Sequence, residues 1–108
     1  MNDMKITDKF DAYVCCPLCQ HENTYHHGCD VYIRDGEDDG GFVAKVRDGD
    51  RRIEEHNLTD KEMDDQSPGY RRDSIRIPIE CEACGKRSAL CVSQIKGYTF
   101  LSWEIPND

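Results

Sequence analysis

Residues 74–85 read SIRIPIECEACG and combine a strand pattern with a pair of closely spaced cysteines. Isoleucine occupies every second position from Ile75 to Ile79, and polar residues and a proline stand between. This period of two predicts a half-buried β-strand. The strand runs directly into Cys81 and Cys84, two thiols separated by two residues and followed by a glycine. The stretch therefore predicts a strand that ends in a metal-binding turn.

A second cysteine pair with the same spacing lies in the run Cys-Pro-Leu-Cys, at Cys16 and Cys19. Two intervening residues let both sulfurs of a pair converge on one ion, and two such turns complete a tetrahedral shell of four sulfurs. The residue after the second turn is glycine, which suits a left-handed backbone, whereas Gln20 holds the matching place after the first. We therefore predict one structural Zn²⁺ bound by Cys16, Cys19, Cys81 and Cys84, with no coordination position open for catalysis.

The composition favours a metal over disulfides. The 108 residues include seven cysteines, an odd number, and the N-terminus shows no secretory signal, so we expect a reducing cytoplasm. Only 37% of the chain is hydrophobic and 33% is charged, so we expect a small core and a domain that unfolds when its metal is removed. No apolar run approaches the roughly 20 residues that cross a membrane, and no membrane partner is expected.

Alternating hydrophobicity predicts further strands on both sides of this stretch. The strands are expected at residues 29–34, 42–47, 88–96 and 99–105. Residues 48–73 are polar and are predicted to form a long loop or insertion, with one helix signal at Thr59–Glu62, which has the spacing of a capping box. Residues 1–13 are predicted to be a flexible lead-in to a single domain over 14–105. The predicted fold is mostly β, a small antiparallel sheet with two Cys-x-x-Cys turns and a long polar loop.

These features resemble the zinc-ribbon family, whose pattern is a Cys-Pro-x-Cys turn, a β-hairpin, a second Cys-x-x-Cys-Gly turn and a three-stranded sheet. The ligand turns match at Cys16, Cys19, Cys81 and Cys84, and the sheet matches at residues 74–80, 88–96 and 98–105. The wider run, with residues 25–27 and 94–99, is similar to small uncharacterised zinc-ribbon proteins from bacteria and their phages. The resemblance implies a metal and an architecture, but zinc ribbons bind nucleic acid, bind proteins or brace a fold.

Three cysteines stand outside the two pairs. Cys15 is an alternative to Cys16 as a ligand, but only Cys16 has the two-residue spacing to Cys19. Cys29 and Cys91 are predicted to pack inside the sheet, because unpaired cysteines behave as small hydrophobic residues.

Two binding functions agree with the sequence. The first is a binding or adaptor module that acts through protein contacts, with the acidic turn at residues 35–40 as a candidate surface. The second is a nucleic-acid-binding zinc ribbon, although a net charge of −8 disfavours phosphate binding by the chain as a whole. Its candidate contacts are the cations of the C-terminal third: Arg71, Arg72, Arg76, Lys86, Arg87 and Lys96.

A metal-dependent nuclease is a third hypothesis, and it rests on His26, His27, His56 and Asn57. A histidine base near a divalent ion activates water in such enzymes. No histidine follows Asn57 and no clear helix signal follows the first hairpin, so we expect no enzymatic activity. The histidines are predicted to lie at strand edges, with one of His26 and His27 near the zinc.

Overall fold

The computed structural model describes residues 13–36, 38–47, 49, 52–69 and 72–105. The mostly-β prediction is confirmed, since 52% of the described residues are in strands and 8% are in the helix. The strands are β1 (Thr24–His26), β2 (Cys29–Arg34), β3 (Gly41–Val46), β4 (Ile53–Leu58), β5 (Ser74–Cys81), β6 (Arg87–Ile95) and β7 (Tyr98–Glu104), and the helix is α1 (Asp60–Gln66). Of the predicted lead-in, only Tyr13 lies within the described residues.

All pairings in the sheet are antiparallel, and β5 lies at its centre. The strands stand in the order β4-β3-β2-β5-β6-β7, and β1 pairs with the cysteine end of β5. Pro78 sits where the partner of β5 changes from β2 to β1, and its carbonyl accepts a hydrogen bond of 2.9 Å from the His27 N–H. A proline is tolerated inside this sheet because the ladder is interrupted at that point.

The prediction of a long polar loop over residues 48–73 is wrong in its first half. Strand β4 lies within that segment and pairs with β3 along its whole length, from Ile53 to Leu58. Five of its six residues are exposed, so this edge strand has no hydrophobic alternation to reveal it. The helix signal is confirmed: the Glu62 N–H donates to the Thr59 hydroxyl at 3.2 Å, and the Glu62 carboxylate accepts from the Thr59 N–H at 2.9 Å.

Helix α1 packs on one face of the sheet at the β4-β3-β2 end. Met63 is completely buried there against Tyr32, Val43 and Leu58, which together form the hydrophobic core cluster. These residues share a face because Tyr32 stands opposite Val43 and every second residue of a strand points the same way. We call this face of the sheet the helix side.

Polar groups share the helix side with the core cluster. The Arg34 side chain is 2% exposed, and its guanidinium contacts the carboxylates of Asp60 and Asp64 at 2.7 and 2.8 Å. Arg76 donates two hydrogen bonds to the Glu104 carboxylate, at 2.6 and 3.0 Å. Ion pairs therefore join α1 to the sheet and β5 to β7.

The opposite face of the sheet is apolar, and we call it the open face. Strand register places its side chains in cross-strand rows, because Val31 stands opposite both Ala44 and Ile75, and Ile75 stands opposite Val92. Its apolar members include Val31, Ile33, Phe42, Ala44, Ile75, Ile77, Leu90, Val92, Leu101 and Trp103. In the part of the chain described, α1 is the only element outside the sheet, and it packs on the helix side. A span across a membrane would need a longer and more apolar helix than any among these residues.

Candidate metal centre

The two cysteine turns have the same backbone geometry. In the first, the Cys16 N–H donates to the His21 carbonyl and the Gln20 N–H donates to the Cys16 carbonyl, both at 2.9 Å. In the second, Cys81 and Gly85 make the equivalent bonds, to the carbonyls of residues 86 and 81 at 3.1 and 3.0 Å. The turns therefore present their sulfurs in the same way.

The residue that closes each turn adopts the left-handed backbone conformation. The φ angle is 68° at Gln20 and 71° at Gly85. Glycine adopts this conformation without steric cost, and a residue with a Cβ atom does not. Gln20 therefore adopts the backbone conformation that glycine has in the second turn, and its backbone is strained as a result.

The structure brings Cys16, Cys19, Cys81 and Cys84 together, with their sulfurs all within 4.8 Å of one another. The Sγ atoms of Cys16 and Cys84 lie 3.8 Å apart, and those of Cys19 and Cys81 lie 3.5 Å apart. A tetrahedral shell with Zn–S bonds of about 2.3 Å requires sulfur–sulfur distances of about 3.8 Å. The four sulfurs therefore fit a tetrahedral metal ion, and none of them is joined in a disulfide.

Backbone amides prepare the sulfurs for negative charge. The Leu18 N–H lies 3.4 Å from Cys16 Sγ, and the Cys84 N–H lies 3.5 Å from Cys81 Sγ. Burial opposes ionisation of Cys16, but the N–H groups of Cys19 and Leu18 outweigh it and lower its thiol pKa to about 7. The His21 N–H lowers the pKa of Cys19, but the neighbouring sulfurs, Cys81 foremost, raise it to about 12. Without a cation the sulfurs resist sharing negative charge, and a divalent ion relieves that repulsion.

The elements around the site hold the two turns in register. Strand β1 follows the first turn and pairs with β5, which leads into the second, so that Thr24 stands opposite Cys81. The Glu82 N–H also donates to the Asn23 carbonyl at 3.1 Å. Cys16 and Cys81 are buried, each 2% exposed, whereas Cys19 and Cys84 are exposed. The site therefore lies at the surface, with two of its four cysteines buried and two accessible to solvent.

The three remaining cysteines lie outside the cluster of four sulfurs. Cys91 is 1% exposed on the helix side of β6, in agreement with its predicted place inside the sheet. Burial, with a further contribution from Glu104, raises the pKa of its thiol to about 11. Cys29 is half-buried in β2, and Cys15 is half-buried beside the first turn.

The residues of the nuclease hypothesis lie on distant strands. His26 ends β1, and His27 lies 3.8 Å from the Glu80 carboxylate on the central strand β5. His56 and Asn57 lie on β4, at the edge of the sheet beyond β3 and β2. Among the described residues, the only group of three or more histidine, cysteine or acidic side chains close enough to hold a metal is the four-cysteine cluster.

The cations proposed to bind nucleic acid are spread over the sheet. Arg71 lies outside the described residues. Arg76 is on the helix side, and its guanidinium also donates to the Tyr32 hydroxyl at 2.8 Å. Arg87 begins β6 and donates to Glu80, whereas Lys96 follows the other end of that nine-residue strand, about 30 Å away at about 3.3 Å per residue. Lys86 belongs to the second cysteine turn, and Arg72 precedes β5.

The acidic turn connects β2 and β3 as a hairpin. Its backbone closes through the Asp35 N–H and the Gly40 carbonyl at 2.9 Å, and the Asp39 carbonyl accepts from Arg34 at 3.0 Å. Asp35, Asp38 and Asp39 are exposed to solvent. The role of this turn as a protein-binding surface stays a prediction.

The cysteine spacing predicts the four clustered sulfurs, but nothing in the sequence predicts that one face of the sheet is left open. The alternating isoleucines of β5 predict an apolar face without indicating what lies on it. No protein-family model, curated protein or solved structure matches this chain. Its place in the zinc-ribbon family therefore stays a prediction that rests on the two cysteine turns and the sheet that carries them.

Proposed function

We propose that this chain is a zinc-braced β-sheet module that acts through protein contacts, with Zn²⁺ held by Cys16, Cys19, Cys81 and Cys84. The observation that carries the proposal is the arrangement of four sulfurs at tetrahedral spacing, with pairs 3.8 and 3.5 Å apart. Zinc is the ion that such sites commonly hold, because thiolates suit a borderline-soft ion without geometric preference of its own.

A structural role follows from the donor set. Four cysteine ligands fill the tetrahedral shell, whereas catalytic zinc sites have three protein ligands and keep one position for water or substrate. The metal then supplements a small core, since among the described residues the hydrophobic core cluster consists of Tyr32, Val43, Leu58 and Met63. The bound ion joins the first turn and β1 to the β5-β6 hairpin.

Protein contacts are favoured by the surface that this brace supports. The open face carries at least ten apolar side chains, and in the described part of the chain no second layer of structure lies on it. Contiguous apolar patches of this kind on soluble proteins mark interaction sites. The cations that nucleic-acid binding would require lie at separate places on the sheet, and Arg76 and Arg87 are engaged by Glu104 and Glu80.

Cobalt substitution tests both whether the four cysteines bind a metal and whether they fill every coordination position. Co²⁺ in a tetrahedral shell of four thiolates gives intense d–d absorption, which we expect for the wild-type chain and for Cys15→Ser as a matched control. Cys81→Ser should weaken this absorption and change its shape, because one thiolate is lost. Azide or imidazole should leave the wild-type spectrum unchanged, and a shift with either would reveal an open position and contradict a purely structural role.

A salt titration separates the protein-binding proposal from the nucleic-acid alternative. Binding to DNA or RNA through phosphate contacts weakens steeply as salt rises. We expect no such binding at low salt in an electrophoretic or fluorescence-anisotropy assay with mixed-sequence DNA and RNA. Affinity that falls with salt and is lost when Lys86, Arg87 and Lys96 are neutralised would instead support the nucleic-acid function.

A further inference from the structure

The open face is a continuous apolar surface. One row crosses five strands, because Ala44, Val31, Ile75, Val92 and Leu101 stand opposite one another in turn. A second row joins Ile77, Leu90 and Trp103, and a third joins Ile33 to Phe42. An antiparallel sheet that is solvated on one face normally carries polar side chains there. The composition of this face therefore indicates that another surface covers it.

The charge of the open face permits contact between two copies of this chain. The chain as a whole has a net charge of −8, which opposes self-association. Few charges lie on this face, however: Glu55 stands opposite Ala44 at the β4 end, and Asp73, which precedes β5, lines a groove there. Asp60 and Asp64 of α1 contact Arg34 on the helix side, away from this face.

The face also carries both a depression and a projection. A groove of about 240 Å³ lies on this face. Its lining includes the apolar side chains Val31, Ile33, Ile75 and Val92 and the polar residues Asp73 and Gln94. Leu101 lies in the same row as Val92, on the edge strand β7, and is 70% exposed. A two-fold contact requires that one surface match itself, with residue i of one copy against residue j of the other and the reverse. A groove and a projecting leucine on one face satisfy that requirement.

The area is sufficient for a reversible dimer. The five strands that carry the apolar rows each occupy a width of about 4.8 Å, so together they span about 24 Å, and six residues of strand span about 20 Å. Each copy therefore offers on the order of 500 Å², and two copies bury about 1,000 Å², which is near the lower bound for a specific interface. Two sheets that pack face to face in this way form a β-sandwich whose strands cross at about 30°.

We infer that the open face binds the open face of a second copy of this chain, so that two zinc-braced sheets form a β-sandwich dimer. This inference rests on the proposed function and names its partner. The dimer forms through side chains of the sheet face, with its rows centred on Val31, Ile75 and Val92. Because the buried area is small, the dimer is in equilibrium with the monomer, and the fraction of dimer rises with protein concentration.

A pair of neighbouring substitutions tests the inference in the zinc-loaded full chain. Leu101→Glu places a charge on the open face, and Phe100→Glu places the same charge on the helix side of the same strand, where Phe100 is 48% exposed. Sedimentation velocity over a concentration series should show a monomer–dimer equilibrium for the wild type and for Phe100→Glu. Leu101→Glu should remain monomeric at concentrations where the wild type is mostly dimer. This corresponds to an increase of at least tenfold in the dissociation constant of the dimer.

Other outcomes would overturn the inference. A wild-type chain that stays monomeric at every concentration excludes the dimer. An equal loss of dimer affinity in Leu101→Glu and Phe100→Glu would indicate pairing through the edge of β7 instead of through the open face. Methyl NMR gives a second measurement that needs no variant. The methyl signals of Val31, Ile75 and Val92 should shift with concentration while that of the buried Met63 does not. If these signals are invariant, the dimer is refuted even where the zinc site and the proposed protein-binding role stand.

Discussion

Helix α1 is joined to the sheet through the buried guanidinium of Arg34. Removing this cation should cost less unfolding free energy than removing its two carboxylate partners. The Arg34 side chain is 2% exposed, whereas its partners Asp60 and Asp64 are 49% and 56% exposed. The cost of taking charge out of water therefore falls on the arginine. Asp60→Asn combined with Asp64→Asn keeps the shape of both side chains but leaves the guanidinium without these carboxylates.

We expect this double variant to lose about 3 kcal/mol of unfolding free energy, the low end of the cost of removing the charged partner of a buried ion. The low end applies because water already reaches both aspartates. Arg34→Met removes the charge and keeps an unbranched apolar chain, and the two aspartates regain water. We expect that variant to lose only about 1 kcal/mol, because replacing a buried charge by an apolar side chain is often close to neutral.

Urea unfolding of the zinc-loaded chain, followed by circular dichroism, measures both changes. For a small domain with an m-value of about 1–2 kcal/mol/M, the double variant should lower the midpoint by roughly 2 M. Asp65→Asn, at an exposed position of the same helix, is the control and should leave the midpoint almost unchanged. If Arg34→Met costs as much as the double variant or more, burial of the Arg34 charge does not determine these costs.

Three further predictions concern the turns, the metal and pH. Gln20→Gly should raise the unfolding free energy by about 1 kcal/mol by removing left-handed strain, and Gly85→Ala, whose added Cβ meets nothing within 4 Å, should lower it by a similar amount. Thermal unfolding checks both, and changes of the same sign would contradict this explanation. Removal of the metal with a chelator should unfold the chain, because structural zinc contributes about 10–16 kcal/mol and a domain has about 5–15 kcal/mol in all; a chelated sample that keeps a dispersed NMR spectrum would refute this. The hydrogen bonds from Arg76 lower the pKa of Glu104, so its stabilising effect is complete above its unfolded-state pKa and is lost as pH falls through its folded-state pKa. The difference in unfolding free energy between the wild type and Glu104→Gln should therefore shrink on acidification, and a constant difference would count against the ion pair.

The strands next to the cysteines were predictable because their signals are local. Residues 74–85 contain both a period of two and a ligand turn, and the structure has β5 over Ser74–Cys81 with the turn directly after it. The helix N-terminus was predictable for the same reason, since a capping box needs only Thr59 and Glu62. Patterns of this kind are complete within a few neighbouring residues.

What the sequence did not reveal depends on distant partners. Strand β4 is held by its pairing with β3 and exposes almost every side chain, so its six residues carry no alternation. The burial of Arg34 depends on aspartates 26 and 30 residues further along the chain. Alternation in β5 predicts that Ile75 and Ile77 share one face, but not that α1 covers the other. Which face becomes the core is decided by tertiary contacts.

The central claim is that two cysteine turns hold one metal ion between them, and the most direct test is native mass spectrometry combined with elemental analysis. The wild-type chain and Cys15→Ser should each carry one zinc ion per chain. Cys16→Ser and Cys81→Ser, one from each turn, should each lose most of it, because both turns contribute to the same tetrahedral shell. A chain that is folded without metal, or one that keeps its zinc after either ligand substitution, would contradict the claim.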